Sequence, residues 1–390
     1  MNQSPWNADK LLESMIRFPS VSDTDNREIT TWVGERLTEL DFTTEWMTYR
    51  DPNGVDKHSI VGRRGPAAAG GLIYFAHSDV VPAAAWSGPA TADGRLDPFS
   101  PVQSNNRMYG RGSCDMKGSF ACMLSAASRV TGRQQAAPLT IVCTADEEIG
   151  FWGARHVAAH SKLFRNAVQE QPVGIIGEPT CMRVVHAHKG VAVYKITSQG
   201  RAAHSSTREG LNANLAMVPM LAELVRLNQR CETDPTLQNK AFNPPTLSWN
   251  FGVSDQAVAY NITPAMSRAW VCFRPMPNVD GQVLVDAIQA KADELGLDLA
   301  KSAKEGPPLW VDPAAPELLR MCEWVGQDRP ETVCYGTDGG CFTELQRLLV
   351  CGPGNIDQAH TADEWISMDE LVRGVEIYHL AIQRWCQQAA

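Results

Sequence analysis

Three observations in the sequence predict an α/β fold carrying a smaller inserted α+β domain. At 390 residues the chain is longer than one hydrophobic core usually serves, so two domains are expected. In the first half, short apolar runs alternate with helical patterns, as in a sheet covered by helices. From about Val191 the order becomes strand, helix, strands, helix, and an apolar run near residue 348 then returns the chain to the first pattern. The boundaries read as 1–186 and 298–390 for the two parts of the larger domain, with 187–297 as the insertion.

An early amphipathic helix follows Asp25: Ile29, Trp32, Val33, Leu37 and Leu40 fall at helical spacing, and Asp25 with Glu28 has the spacing of a capping box. Apolar runs at 72–76, 139–144 and 173–176 end at His77, Asp146 and Glu178 and read as buried strands. Helical patterns at 117–130 and 152–163 alternate with them. In the insertion, 191–198, 246–253 and 266–273 read as strands. Helices are expected there at 212–227 and 281–295, where apolar residues recur three and four apart. The run 348–351, closed by Gly352, Pro353 and Gly354, reads as one more buried strand of the larger domain.

Composition narrows the function. Hydrophobic residues make up 44% and charged residues 20%, as in an ordinary folded protein. With a net charge of -9 and no local run of Lys and Arg, the chain has no basic footprint for a phosphate backbone, so nucleic acid is not expected as a partner. The eleven cysteines, scattered from Cys114 to Cys386 without a C-x-x-C pair, read as reduced thiols. The N-terminus MNQSPWNADK lacks the features of a signal peptide, and no window has the roughly 18 apolar residues of a spanning helix. A cytoplasmic protein without a membrane partner is expected.

In open α/β sheets, ligands bind beyond the carboxyl ends of the strands. His77, Glu147, Glu148, Glu178 and His360 all follow predicted strands, while Asp115 follows the glycine-marked turn Gly110, Arg111, Gly112. Taken singly these residues are ordinary: a lone histidine is usually structural, and an aspartate before a helix is usually an N-cap. Their shared edge is what carries weight. Imidazoles and carboxylates without a thiolate suit Zn²⁺, Co²⁺ or Mn²⁺ in an open catalytic site. A bound metal activates water but still needs a base to accept its proton, and Glu147, beside Glu148, is placed for that. The signatures H-E-x-x-H, G-x-S-x-G and G-x-x-x-x-G-K-[ST] are absent. No chemistry is assigned to His58, His156, His160, His186, His188 or His379.

The segments HSDVVP (77–82), YGRGSCDMKG (109–118), TADEEIG (144–150), GEPT (177–180), GRAAHSS (200–206) and GPGNIDQAHTADE (352–364) occur in this order. Together they strongly resemble the M20 metallopeptidase and deacylase family over nearly the whole chain. The resemblance implies a zinc-peptidase-like catalytic domain with an inserted ferredoxin-like domain serving as dimerisation element and lid. It also implies two Zn²⁺ or Co²⁺ ions per subunit. His77 and Glu178 would complete one metal site, Glu148 and His360 the other, and Asp115 would bridge them. Asp79 would orient the His77 imidazole, and a cis peptide would follow Asp115. His204 would reach the oxyanion of the partner subunit's substrate, making the protein a homodimer. Asn261 in YNITP and Arg274 in RPMP match positions that hold the substrate's free carboxylate.

The GTDGG loop (336–340) could present backbone N–H groups to substrate, with Thr337 and Asp338 as candidate contacts, or form a plain tight turn. This loop and the segment around His360 resemble the branch that deacetylates N-acetyl-L-ornithine in arginine biosynthesis. A small N-acylated amino acid is therefore the expected partner. A succinyl-diaminopimelate desuccinylase, an aminoacylase, a carboxypeptidase or dipeptidase, and a non-catalytic binding relative are the other readings.

Overall fold

A computed structural model describes residues 4–256 and 259–387, and its Cα positions fall into two compact units. The first comprises the chain up to Ala187, Trp310–Glu331 and the chain from Thr337; the second comprises His188–Leu309 and Thr332–Gly336.

The first unit is built on a mixed sheet whose order begins Thr43–Arg50, Asp56–Arg64, Leu139–Thr144, Leu72–His77, Val173–Ile176, Leu348–Val350. The last four of these strands run parallel, Leu72–His77 lying between Leu139–Thr144 and Val173–Ile176. All four are buried along their whole length, which explains their unbroken apolar sequences. Successive side chains point to opposite faces. Tyr74 packs against Phe120 and Tyr378 on the helices Gly118–Ser128 and Met368–Ile382, while Phe75 packs against Phe164 of Lys162–Glu170 and against Phe342.

One predicted helix is in fact two. Residues 152–163 divide at Ser161 into Trp152–His160 and Lys162–Glu170. The Ser161 hydroxyl accepts from Phe164 N at 3.0 Å, and the Glu45 carboxylate accepts from Lys162 N and Leu163 N, so the second helix has its own capped start. The helical pattern expected from Lys117 begins at Gly118, because Ser113–Lys117 is a tight non-α turn that brings Asp115 inward. The Asp115–Met116 peptide is cis, as the resemblance implied.

The second unit has a four-stranded antiparallel sheet in the order Asn250–Ser254, Met266–Phe273, Ala192–Gln199, Asp298–Lys301. With the helices Asn214–Thr233 and Gln282–Leu295 this gives β-α-β-β-α-β, the ferredoxin-like arrangement. Buried and accessible residues alternate along Ala192–Gln199, as expected of a sheet covered on one face only. Residues 246–249, expected to belong to a strand, precede it.

Gly177 sits between the strand Val173–Ile176 and Glu178, where an added Cβ would lie 2.1 Å from Tyr74 Oη and 2.5 Å from Ser119 Oγ. Tyr74 cannot yield easily, since its hydroxyl is in a buried chain through Ser119 and Tyr378 to the Cys351 carbonyl. Gly177→Ala is expected to cost about 1–3 kcal/mol of stability, measured by urea denaturation; an unchanged midpoint would show that this junction is slack.

Candidate metal centre

Because Leu139–Thr144, Leu72–His77 and Val173–Ile176 are parallel neighbours, the residues at their carboxyl ends share one edge. His77 ends its strand, Glu147 and Glu148 follow Thr144 through a short turn, and Glu178 follows Ile176 after one glycine. Asp115 enters on the Ser113–Lys117 turn. His360, at φ 62°, enters from the last part of the chain.

Asp115 is central. Its Oδ1 lies 3.2 Å from His77 Nε2 and its Oδ2 3.5 Å from His360 Nε2, so each oxygen faces a different imidazole. His360 Nε2 also lies 3.0 Å from Glu148 Oε2, and His77 Nε2 is 3.8 Å from Glu178 Oε1. Donor atoms of His77, Asp115 and Glu148 fall within 4.8 Å of one another, as do those of His77, Glu147 and Glu178. All six residues expected at the site are therefore brought together, with Glu147 standing among the donors.

Asp79 contacts more than the imidazole it is expected to orient. His77 Nδ1 donates to the Asp79 backbone carbonyl at 2.9 Å, with the carboxylate at 3.6 Å. This leaves Nε2 turned to the cluster. The Asp79 carboxylate instead accepts from Ser22 Oγ at 2.8 Å and from the Glu147 and Glu148 amides at 3.2 and 3.3 Å. It thereby ties the Glu147–Glu148 turn to the end of the His77 strand.

Burial, followed by the crowding of carboxylates, sets the electrostatics. Burial, then the charge of Asp115, pushes Glu148 up to about 7. Glu147 and Glu178 are pushed well above the usual carboxylate range, by burial and then by Glu178 and Asp115 respectively. Hydrogen bonds to Asp115 and Glu148 raise His360 to about 10. Against its burial, Asp115 is held low by bonds from His360 and His77. Buried Glu148 Oε1 and Glu178 Oε1 have no hydrogen-bond partner. An acidic donor set with orphaned inward oxygens and no thiolate fits divalent cations of the Zn²⁺, Co²⁺ or Mn²⁺ kind.

Glu364 is a residue the sequence reasoning quoted in a motif but gave no role. Its side chain is 1% exposed, and its two oxygens accept from the amides of Gly112, Cys114 and Asp115 at 2.8, 2.8 and 3.0 Å. Arg111 Nη1 donates to it at 2.6 Å. Pairing of Trp365–Ser367 with Arg107–Tyr109 delivers this carboxylate to the turn that carries Asp115. An acid just before a short strand gives no sign of this in sequence.

The remaining candidates are distributed as follows. Thr337 accepts from Gly339 N at 3.0 Å and caps its own turn, while Asp338 Oδ2 accepts from Thr144 Oγ1 at 2.5 Å; both side chains are buried. Burial pushes Asp338 up to about 7. In the second unit His204 is exposed, its Nδ1 2.7 Å from Ser206 Oγ. Ser205 N donates to Asn261 O at 3.0 Å, so His204 and Asn261 share one local backbone pairing. Arg274 follows the strand Met266–Phe273, its amide bonded to Leu247 O at 2.6 Å.

A doubly wound sheet with paired imidazoles and carboxylates at its carboxyl edge defines a metal-dependent hydrolase. Residues 73–384 match peptidase family M20/M25/M40, and the chain belongs to that family. An acetylornithine deacetylase of Proteus mirabilis (strain HI4320) is 30% identical over 391 residues, covering 97% of this chain and 96% of the relative. One of Myxococcus xanthus is 29% identical over 385 residues, covering 96% of each. Among solved structures, an M20 family metallo-carboxypeptidase from Sulfolobus solfataricus superposes with a TM-score of 0.73 at 16% identity, over 96% of this chain and 98% of that one. A di-peptidase from Saccharomyces cerevisiae gives 0.71 at 17% identity, over 96% and 95%. These two likenesses establish the shared fold.

Glu364→Gln would turn an amide group toward backbone N–H donors and leave Arg111 without its counter-charge. A loss of about 3 kcal/mol in metal-free protein is expected, read from urea denaturation, together with less metal retained after gel filtration. Wild-type stability and retention would mean that Glu364 does not brace the Asp115 turn.

Proposed function

We propose that the chain is a two-metal amide hydrolase converting N-acetyl-L-ornithine and water into L-ornithine and acetate. The observation that carries this reading is the placement of the two Asp115 oxygens toward His77 and His360, with Glu148 and Glu178 beside them. His77, Asp115 and Glu178 would hold one ion, and His360, Asp115 and Glu148 the other. Zn²⁺ or Co²⁺ bound there would lower the pKa of a shared water and polarise the amide carbonyl.

The protein's own groups do the rest. The Glu147 carboxylate takes the water's proton and returns it to the departing amine nitrogen as the C–N bond breaks, so it ends the cycle as it began. Its burial beside Glu178 favours the protonated form it must pass through. Arg274 and Asn261 hold the substrate's free carboxylate; among the described residues the Arg274 guanidinium has no hydrogen-bond or ion-pair partner. His204 of a partner subunit donates to the oxyanion. A homodimer is supported by the second unit's exposed Leu215, Val218 and Val225 on Asn214–Thr233, and by the open edge strand Asn250–Ser254 with exposed Val253. A cytoplasmic setting accords with eleven unpaired cysteines and with no described helix long and apolar enough to cross a membrane.

The choice of N-acetyl-L-ornithine rests on the deacetylase relatives, and a substrate panel tests it. With two equivalents of Zn²⁺ or Co²⁺, the purified protein is expected to turn over N-acetyl-L-ornithine faster than N-succinyl-diaminopimelate, other acyl amino acids or dipeptides. Preference for another member of the panel would reassign the substrate, and inertness toward all of them would favour a binding protein. Glu147→Gln is expected to retain both metals yet lose about 10²- to 10⁴-fold in kcat; near wild-type turnover removes Glu147 from its role. Mixing His204→Ala with Glu147→Gln protein should restore activity through hybrid dimers, and no recovery after demonstrated subunit exchange would place His204 elsewhere.

A further inference from the structure

Next to the Glu147–Glu148 turn lies an ion pair, one of whose partners stands in the TADEEIG motif, that belongs to neither donor triad. Lys57, in the strand Asp56–Arg64, and Asp146 are 1% and 0% exposed, with Nζ 3.0 Å from Oδ1. Lys57 Nζ also donates to the Thr24 carbonyl at 2.7 Å and to the Ser22 carbonyl. The other Asp146 oxygen accepts from the Tyr49 hydroxyl at 2.7 Å. Both carboxylate oxygens of Asp146 are thus engaged away from the metal donors, and Asp146 belongs to neither donor triad.

These contacts close a ring. Ser22, whose carbonyl takes Lys57, donates its hydroxyl to Asp79, and Asp79 accepts the amides of Glu147 and Glu148. Asp146, the residue before them, returns the ring to Lys57. Its backbone is at φ 58°, ψ 31°, in the left-handed region that Asp enters more readily than most non-glycine residues. A buried ion pair is a poor source of net stability, since an apolar pair of the same volume is often as good or better. What it supplies here is direction: the turn is gripped from both sides, by Asp79 at its amides and by Lys57 at the Asp146 side chain.

We infer that Lys57 and Asp146 are positioning residues, their buried ion pair setting the turn that aims the Glu147 and Glu148 carboxylates at the metal donors. The inference rests on the roles proposed above for those two glutamates. Displacement of the turn by a fraction of an ångström to one ångström would misplace the base without touching substrate contacts, so kcat falls while KM holds.

The test compares Lys57→Met, Asp146→Asn, the double variant and Tyr49→Phe with wild type. Three readouts are taken: steady-state kinetics, titration of metal-free protein with Co²⁺ by calorimetry, and the visible absorption spectrum of the Co²⁺ forms. Each single variant at the ion pair is expected to lose about 10²-fold in kcat at nearly constant KM. Co²⁺ should bind about tenfold more weakly at one of the two sites, with an altered spectrum. The double variant should lose no more than the worse single, because the two act as one unit. If the ion-pair variants do not fold, Tyr49→Phe decides, with an expected loss of several-fold in kcat and a changed Co²⁺ spectrum in a folded protein. Folded variants that are less stable but keep wild-type kcat, Co²⁺ affinities and spectrum would overturn the inference, leaving the pair a purely structural role. Glu147→Gln run in parallel separates the two claims. Should it stay active, the base assignment fails, while the Co²⁺ titration still judges whether Lys57 and Asp146 position Glu148.

Discussion

Mutual repulsion among carboxylates packed at one edge of the sheet is the constraint to which the surrounding structure answers. Asp79, Asp115, Glu147, Glu148, Glu178 and Asp338 are all held within the same unit, with His77 and His360 as the imidazoles among them. Two of the acids that are not candidate ligands are met by donors from the fold, Asp79 by two amides and a hydroxyl and Glu364 by three amides and Arg111. The candidate ligands are treated differently. Glu148 and Glu178 each keep a buried oxygen without a hydrogen-bond partner and are raised in proton affinity, features that fit groups awaiting a counter-charge. Fold and chemistry meet in that difference.

Much of the larger sheet was readable because strands buried on both faces must be continuous apolar runs. Those at 72–76, 139–144, 173–176 and 348–351 lie in strands whose described residues are wholly buried. The hairpin Thr43–Arg50 with Asp56–Arg64 carries no such signal. Its first strand is mostly exposed and polar, and its second places charged Lys57 where an apolar residue would ordinarily mark a strand. The helix break at Ser161 has a local cap, the Ser161 hydroxyl on Phe164 N, but its other support is Glu45, more than a hundred residues earlier in the chain and outside any local window. Both failures come from tertiary partners overriding local pattern.

The site divides along the same line. Its candidate metal donors stand in recognisable motifs, since each places a particular side chain at a strand end or, for Asp115, on a glycine-marked turn. The groups that aim them do not: Glu364, Ser22, Tyr49 and Lys57 are ordinary residue types at ordinary positions, and only their partners give them meaning. Asp79 illustrates the mixed case. Its motif position was visible, yet its carboxylate serves the Glu147–Glu148 turn more closely than the imidazole it was expected to orient.

The split construction of the first unit orders events in time as well as space. His77, Asp115, Glu147, Glu148 and Glu178 leave the ribosome before the chain of the second unit, while His360 and Glu364 emerge only afterwards. Until then the Asp115 turn has no carboxylate to bind its amides, and the acidic cluster lacks its second imidazole. A chain ended before residue 360 therefore lacks both the second imidazole beside Asp115 and the carboxylate that holds the amides of its turn.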